Sequence, residues 1–281
     1  MHNETFYTKK NINEFKIALI SDIHYYKNFN QKTLNKMYNQ IKTNKPNNIC
    51  ITGDTLDNSK TTELDRLITF LNKISSIAPV LIVLGNHEKK CGSMWKWHEK
   101  ENTVFTNAIS NLNNVHLLRD KIWQNNNISF YGFDLSFDYY EKHDEDYNQF
   151  IKEIETLKTT LSEENYNITL FHSPKNIYNY IEKNPNSNLA KSDLILSGHM
   201  HNGCLPFFIS NPINKLFKTN RSLIDPTRKL FPKYSQGRVY KIKDGYIHEG
   251  ITKLSHSTRF FHYFDWIFQK NVEFLTIKKD Q

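Results

Sequence analysis

Apolar positions along this chain follow two rhythms, and the rhythms alternate. Lys16 to Ile20 is a nearly continuous apolar run that suits a buried strand, after which Leu34, Met37, Tyr38 and Ile41 repeat at helical spacing. Asn48 to Thr52 is strand-like again. Leu64, Leu67, Ile68, Leu71 and Ile74 mark an amphipathic helix, and Pro79 to Leu84 predicts a third strand. Parallel strands need crossover connections of this kind, so the βαβαβ order predicts a mostly parallel sheet covered by helices. Further strands are expected at Val115 to Leu118, Ile128 to Phe133, Ile168 to Phe171 and Asp193 to Leu196. Between them a helix is expected whose apolar face is Tyr147, Phe150, Ile151, Ile154, Leu157 and Leu161. After residue 204 the chain changes to a stretch carrying Pro, Lys and Arg. Short strand-like pieces follow at Gly237 to Ile242, Tyr246 to Glu249 and Val272 to Ile277. Neither a repeat nor a clear linker divides the pattern, so one domain over residues 1–281 is expected.

The chemistry stands at the carboxyl ends of these strands, where ligands bind in open α/β sheets. The first three predicted strands run into Asp22-Ile23-His24, Gly53-Asp54 and Gly85-Asn86-His87-Glu88. Two later ones run into His172 and into Gly198-His199-Met200-His201. All five ends are expected to converge on one edge of a sheet. In an extended segment residues i and i+2 face the same side, so Asp22 and His24 can share a site, as can His199 and His201. Singly, each residue has an ordinary structural reading: Asp22 as a cap, Asn86 as a turn residue, His172 as a satisfied strand-end histidine. Together they form a set of oxygen and nitrogen donors that suits Mn, Fe, Co or Zn, whereas Ca or Mg prefers nearly all oxygen. The set contains no cysteine, which argues against a structural zinc site. Two Asp, one Asn and four His, besides His87, exceed what one ion needs. They suit two ions about 3.5 to 4 Å apart that share a bridging carboxylate.

In order, these blocks resemble the pattern of the calcineurin-like metallophosphoesterases: D-x-H, G-D, G-N-H-[DE], a lone H, and G-H-x-H. The resemblance spans about residues 16 to 203. Leu205-Pro206-Phe207, Lys233-Tyr234 and Gly237-Arg238-Val239-Tyr240 look like the stretch that follows in a bacterial subgroup with the pattern G-H-x-H-G-G. That subgroup includes membrane-associated phosphoesterases and lipid-precursor pyrophosphatases. The resemblance implies an α/β fold, a four-layer α/β/β/α sandwich, with the motifs in the core and a C-terminal loop and strands over about 204–281. It implies two divalent ions, Mn, Fe or Zn. Asp22, His24, Asp54 and His201 would hold the first, and Asp54, Asn86, His172 and His199 the second, with Asp54 as the bridge. A water between the ions would lose a proton near neutral pH and attack phosphorus in line. His87 would donate a proton to the leaving oxygen, and Asp57 matches a carboxylate that orients that histidine in some members. The implied activity is hydrolysis of a phosphomonoester, phosphodiester or pyrophosphate. A non-catalytic binding module on the same fold is the alternative, but such modules usually lose ligands or the proton donor, and here none is missing. Glu88 stands where Asp is common, Asn202 stands where the subgroup has Gly, and the polar start of the sequence leads to the expectation that the N-terminal membrane anchor of several subgroup members is missing, which puts membrane attachment in doubt and not catalysis.

Composition narrows the partners. In 281 residues, 38% are hydrophobic and 23% charged, the profile of a globular chain. The net charge of +8 favours negatively charged partners, a phosphorylated substrate first among them. Residues 205–238 carry Phe207, Phe208, Phe217 and Phe231 among Lys215, Lys218, Arg221, Arg228, Lys229, Lys233 and Arg238. This stretch reads two ways, as a peripheral contact with an anionic membrane or substrate head group, or as a solvated loop anchored by its aromatics. No nucleic-acid recognition motif is present. Met94-Trp95-Lys96-Trp97-His98 reads as packing, with a lid beside the ions as the alternative. Three widely spaced cysteines (Cys50, Cys91, Cys204) and the absence of a leader or spanning segment point to the cytoplasm, peripheral to the membrane at most. His2, His98, His116, His143, His248, His256 and His262 match no block and are assigned no role.

Overall fold

A computed structural model describes residues 2–93, 96–141, 147–155, 160–201, 207–218, 239–242, 245–249 and 272–280. In chain order the elements begin β1 (His2–Thr8), β2 (Phe15–Ile20), α1 (Gln31–Asn44), β3 (Asn48–Thr52), α2 (Asp65–Ser75) and β4 (Val80–Val83). Next come α3 (Asn86–Lys89), β5 (Lys90–Ser93), β6 (Lys96–Glu99), α4 (Thr103–Ser110), β7 (Val115–Leu117), β8 (Lys121–Asn125) and β9 (Ile128–Gly132). They continue with α5 (Phe137–Glu141), α6 (Tyr147–Glu155), β10 (Tyr166–Leu170), α7 (Lys175–Lys183) and β11 (Leu194–Ser197). The last are α8 (Phe207–Leu216), β12 (Val239–Ile242), β13 (Gly245–Glu249) and β14 (Glu273–Lys279).

Among the described residues, twelve strands form two six-stranded sheets, in the orders β1-β14-β2-β3-β4-β7 and β12-β13-β11-β10-β9-β8, and β5 pairs with β6 apart from them. Residues that alternate along the central strands face opposite layers. Ile17, Leu19, Cys50, Leu81 and Val83 of the first sheet pack in one cluster with Phe130, Ile168, Leu170, Leu194 and Leu196 of the second. On the outer side of the first sheet, Ala18, Ile20, Ile49, Ile51 and Ile82 pack with Leu34, Met37 and Ile41 of α1 and with Leu67, Leu71 and Ile74 of α2. On the outer side of the second, Tyr131 and Ile195 pack with Phe150 of α6 and Ile177 of α7. Helices therefore cover both outer faces, and the architecture is the α/β/β/α sandwich.

Local sequence accounts for much of this. Asn30 begins α1 by accepting a hydrogen bond from the Lys32 N–H at 2.9 Å, and three buried residues at helical spacing hold the helix down. β2, β3 and β4 are parallel, so their carboxyl ends emerge together, as do those of the parallel β9, β10 and β11. The site-bearing ends therefore lie on two sheets, three on the first and two on the second, and not on the edge of a single sheet as expected. β1 was not anticipated in its polar sequence. It pairs in parallel with β14, which lies between β1 and β2. The helix expected from Tyr147 to Leu161 is observed as far as Glu155, Leu157 falls outside the described residues, and Leu161 is buried. Gly237 and Arg238, most of the stretch 205–238, and Met94 and Trp95 also lie outside them.

Candidate metal centre

Five short segments, following β2, β3, β4, β10 and β11, supply the site. Asp22 and His24 follow β2, and their backbone N–H groups donate to the carbonyls of Gly53 and Asp54 at 3.1 and 2.9 Å. The segment is not extended. Asp22 (φ 50°), His24 (φ 47°), Asp54 (φ 47°), His199 (φ 67°) and His201 (φ 52°) all occupy the left-handed region. The pairs converge through tight turns, with the Met200 N–H donating to the Gly198 carbonyl at 2.7 Å, and not through the alternation of a strand. The Asp22 carboxylate accepts from the His199 N–H at 2.9 Å, which links the first sheet's loop to the second sheet's.

All seven candidate ligands are buried. One ligand atom from each of Asp22, His24, Asp54 and His201 falls in a cluster within 4.8 Å, and the same holds for Asp54, His172 and His199. Asp54 belongs to both clusters. Its Oδ2 lies 3.6 Å from His24 Nε2, and its Oδ1 lies 3.3 Å from His172 Nε2. Asn86, the first residue of α3, places Oδ1 3.0 Å from His172 Nε2 and so joins the second cluster. His172 Nδ1 meets the Thr52 carbonyl at 2.8 Å; a carbonyl can only accept, so Nδ1 carries the proton and Nε2 faces the cluster. His199 Nδ1 lies 3.2 Å from that Nε2. His201 stacks on His24 with ring centroids 5.0 Å apart.

Electrostatics follow from burying two carboxylates among imidazoles. Burial pushes the Asp22 carboxyl up to about 6, against the pull of His172. Asp54 is buried equally, but His172, His87 and His24 outweigh that effect and hold it well below the usual carboxylate range. Burial disfavours a charged His172, yet Asp54 and Asp22 hold its pKa up at about 9. His201 is pushed well below the usual histidine value by burial, and its Nδ1 has no hydrogen-bond partner among the described residues. An unsatisfied buried nitrogen costs about 1 to 3 kcal/mol, which coordination would relieve. Buried carboxylates, imidazoles and one amide, free of cysteine, are the donor chemistry of divalent transition metals, so the residues fit two such ions.

His87 lies just outside both clusters. Its Nε2 is 3.8 Å from Asp54 Oδ2, and burial draws it down to about 4. Its Nδ1 meets Asp57, but through the backbone carbonyl at 2.6 Å. The Asp57 carboxylate lies 3.7 Å from His24 Nδ1, and one ligand atom from each of His24, Asp57 and His87 falls within 4.8 Å of the others, so the carboxylate stands beside both rings. Two residues near the site were assigned no role from the sequence. Glu88 accepts from the backbone N–H groups of Leu56 (2.6 Å), Gly85 (2.7 Å) and Asp54 (3.1 Å), and so ties the loop after β3 to the loop after β4. Tyr140, on α5, sets its ring 6.0 Å from His172 and 6.1 Å from His199. The G-N-H-E block signalled Glu88, while nothing local signalled Tyr140.

The sequence profile of the calcineurin-like phosphoesterases matches residues 15–203, the span that carries every one of these loops. The chain belongs to the calcineurin-like phosphoesterase family. An uncharacterized metallophosphoesterase of Campylobacter jejuni is 27% identical over 190 residues, covering 68% of this chain and 45% of the relative. The chain thus spans less than half the length of that relative. A purple acid phosphatase from yellow lupin seeds overlaps 68% of this chain and 39% of its own, at 13% identity and a TM-score of 0.42. A Plasmodium protein described as the anchor in the inner membrane complex overlaps 85% and 71%, at 14% identity and a TM-score of 0.40.

Proposed function

We propose that the chain hydrolyses a phosphomonoester, phosphodiester or pyrophosphate with two divalent ions, Mn, Fe or Zn. The observation that carries this is the pair of donor clusters sharing Asp54. Asp22, His24, Asp54 and His201 would hold one ion, and Asp54, Asn86, His172 and His199 the other. When bound, the ions supply Lewis acidity toward the phosphoryl oxygens and an activated water as nucleophile. His87 presents Nε2 beside the clusters because Nδ1 is engaged by the Asp57 carbonyl. The negative charge of a bound phosphoryl group favours its protonated form, from which it hands a proton to the leaving oxygen as the bond to phosphorus breaks. Asp57, whose carboxylate is grouped with both His24 and His87, helps to orient His87.

Within the family, we read the chain as a single cytoplasmic domain akin to the bacterial G-H-x-H-G-G subgroup, a reading supported by Gly198-His199-Met200-His201 and Gly203, with Asn202 departing from the pattern. Peripheral contact with an anionic membrane through 205–238 is supported by Leu216 and Phe217, both exposed at the end of α8 between Lys215 and Lys218. Co-sedimentation with anionic but not neutral vesicles is the expected result, and equal recovery with both would remove the membrane from the proposal.

The central test is metal analysis together with hydrolysis of an aryl phosphate, a diester and pyrophosphate. About two ions per chain are expected. Asp54→Asn should abolish turnover, and His87→Ala should slow it about a hundredfold with metal retained. Full activity in Asp54→Asn would overturn the reading, and fewer than one ion after reconstitution would favour a binding module.

A further inference from the structure

Next to the site lies a chain of charged groups that the reaction itself does not use. Lys89, the last residue of α3, is buried and points its ammonium at Asp134 Oδ1, 2.5 Å away, and at the Leu135 carbonyl. Asp134 Oδ2 accepts from Arg119 Nε at 2.6 Å, and the remaining two nitrogens of Arg119 fork onto Glu101 at 2.9 and 2.6 Å. The chain closes on itself through the backbone: Asn102 N–H donates to the Glu88 carbonyl and Lys100 N–H to the Lys89 carbonyl, both at 2.9 Å. Asp134 stands just beyond β9 of the second sheet, whereas α3 follows β4 of the first. Two residues beyond Asp134, Ser136 immediately precedes α5 and is anchored by its N–H on Glu153 of α6 at 2.9 Å. Tyr139 of α5 is fixed by Asn176 at 3.2 Å, which leaves the next residue, Tyr140, against His172 and His199.

We propose that Asp134 is a positioning residue: by receiving Lys89 and Arg119 together it clasps α3 to the start of α5. His87 at one end of the site and Tyr140 at the other are thereby held at a fixed separation. Breaking a buried pair by removing one partner leaves an uncompensated charge, so the clasp resists opening. A small displacement of a proton donor is enough to cost about a hundredfold in rate. The inference rests on His87 acting as that donor, and its signature is a dependence on the leaving group.

The test compares Asp134→Asn with the unaltered protein on a nitrophenyl phosphate, whose leaving group needs little protonation, and on an alkyl phosphate, whose leaving group needs much. A loss of about tenfold or more on the alkyl ester and about threefold or less on the nitrophenyl ester is expected, at unchanged metal content. Combined with His87→Ala, the substitution should add almost nothing on the alkyl ester. Equal losses on both esters, or fully additive losses, would overturn the clasp. Amide exchange at residues 86–89 and 137–141, read without substrate, should quicken in Asp134→Asn. Unchanged protection there sinks the clasp even if the unaltered protein hydrolyses neither ester, an outcome that would instead count against the proposed function. Should Asp134→Asn fail to fold, Glu101→Gln, at the exposed end of the chain of charges, is expected to show the same selectivity at smaller size, and a loss without selectivity rejects the proposal.

Discussion

Five of the seven candidate ligands hold their backbone in the left-handed region, where a non-glycine residue costs about 1 to 2 kcal/mol. That conformation lets Asp22 and His24, or His199 and His201, turn toward a common point within three residues. The same crowding explains the glycines. A Cβ on Gly198 would sit 2.6 Å from Asp22 Oδ2, so this glycine makes room for a ligand carboxylate. Gly198→Ala is therefore expected to lower metal content from about two ions toward one, with activity falling in proportion, as metal analysis can show. Protonation adds a second expectation. In the ion-free protein His172 keeps its proton up to about pH 9, above the ordinary 6.5, so its contribution to stability is present below 6.5 and lost as pH rises through 9. An ion at Nε2 needs the neutral ring, so loading at neutral pH should release a proton and affinity should rise with pH. Calorimetry in buffers of different ionisation heat measures that proton, and heats independent of buffer would contradict the assignment.

Among the elements, α3 shows how a short segment is held by something other than its own length. Four residues cannot sustain a helix by backbone bonds alone. Glu88 reaches back to Gly85 N–H and across to Asp54 and Leu56, so one carboxylate fixes two loops. Glu88→Ala would leave three buried N–H groups without that acceptor, a cost of about 3 kcal/mol or more. Denaturant unfolding should show the loss, accompanied by weaker metal binding, because Asp54 and Asn86 sit on the released loops. A midpoint and metal content like those of the unaltered protein would show that water replaces the carboxylate. The strands and helices over residues 16–84 were legible because a period of two or 3.6 is a local property. α5 was not, since Phe137 to Glu141 is one turn and its placement depends on Glu153 and Asn176, contributed by α6 and α7.

At the level of the whole molecule, the site lies where the carboxyl ends of two packed sheets meet. Asp22, Asp54 and Asn86 come from loops of the first sheet, and His172 and His199 from the second. An ion bound across that junction stabilises the folded state alone, by about 2.7 kcal/mol at a hundredfold excess over its dissociation constant. For two ions the expected fall in melting temperature on chelation is roughly 10 °C, measurable by thermal denaturation with and without chelator. A melting temperature indifferent to chelation would mean that the clusters do not hold ions in solution.

Spacing and residue type alone identified every candidate ligand, because a ligand must carry a particular donor atom and stand at a strand end, and both are visible in the linear order. The same order yielded the division of His199 and His201 between two clusters only through resemblance. Tertiary structure decided the rest. It set the strand ends on two sheets, turned the Asp57 carboxylate toward His24 and its carbonyl toward His87, inserted β14 beside β1, and brought Lys89 and Tyr140 to the site. These are contacts between residues tens to hundreds of positions apart. They depend on how layers pack, and no local pattern of apolar and polar residues encodes them.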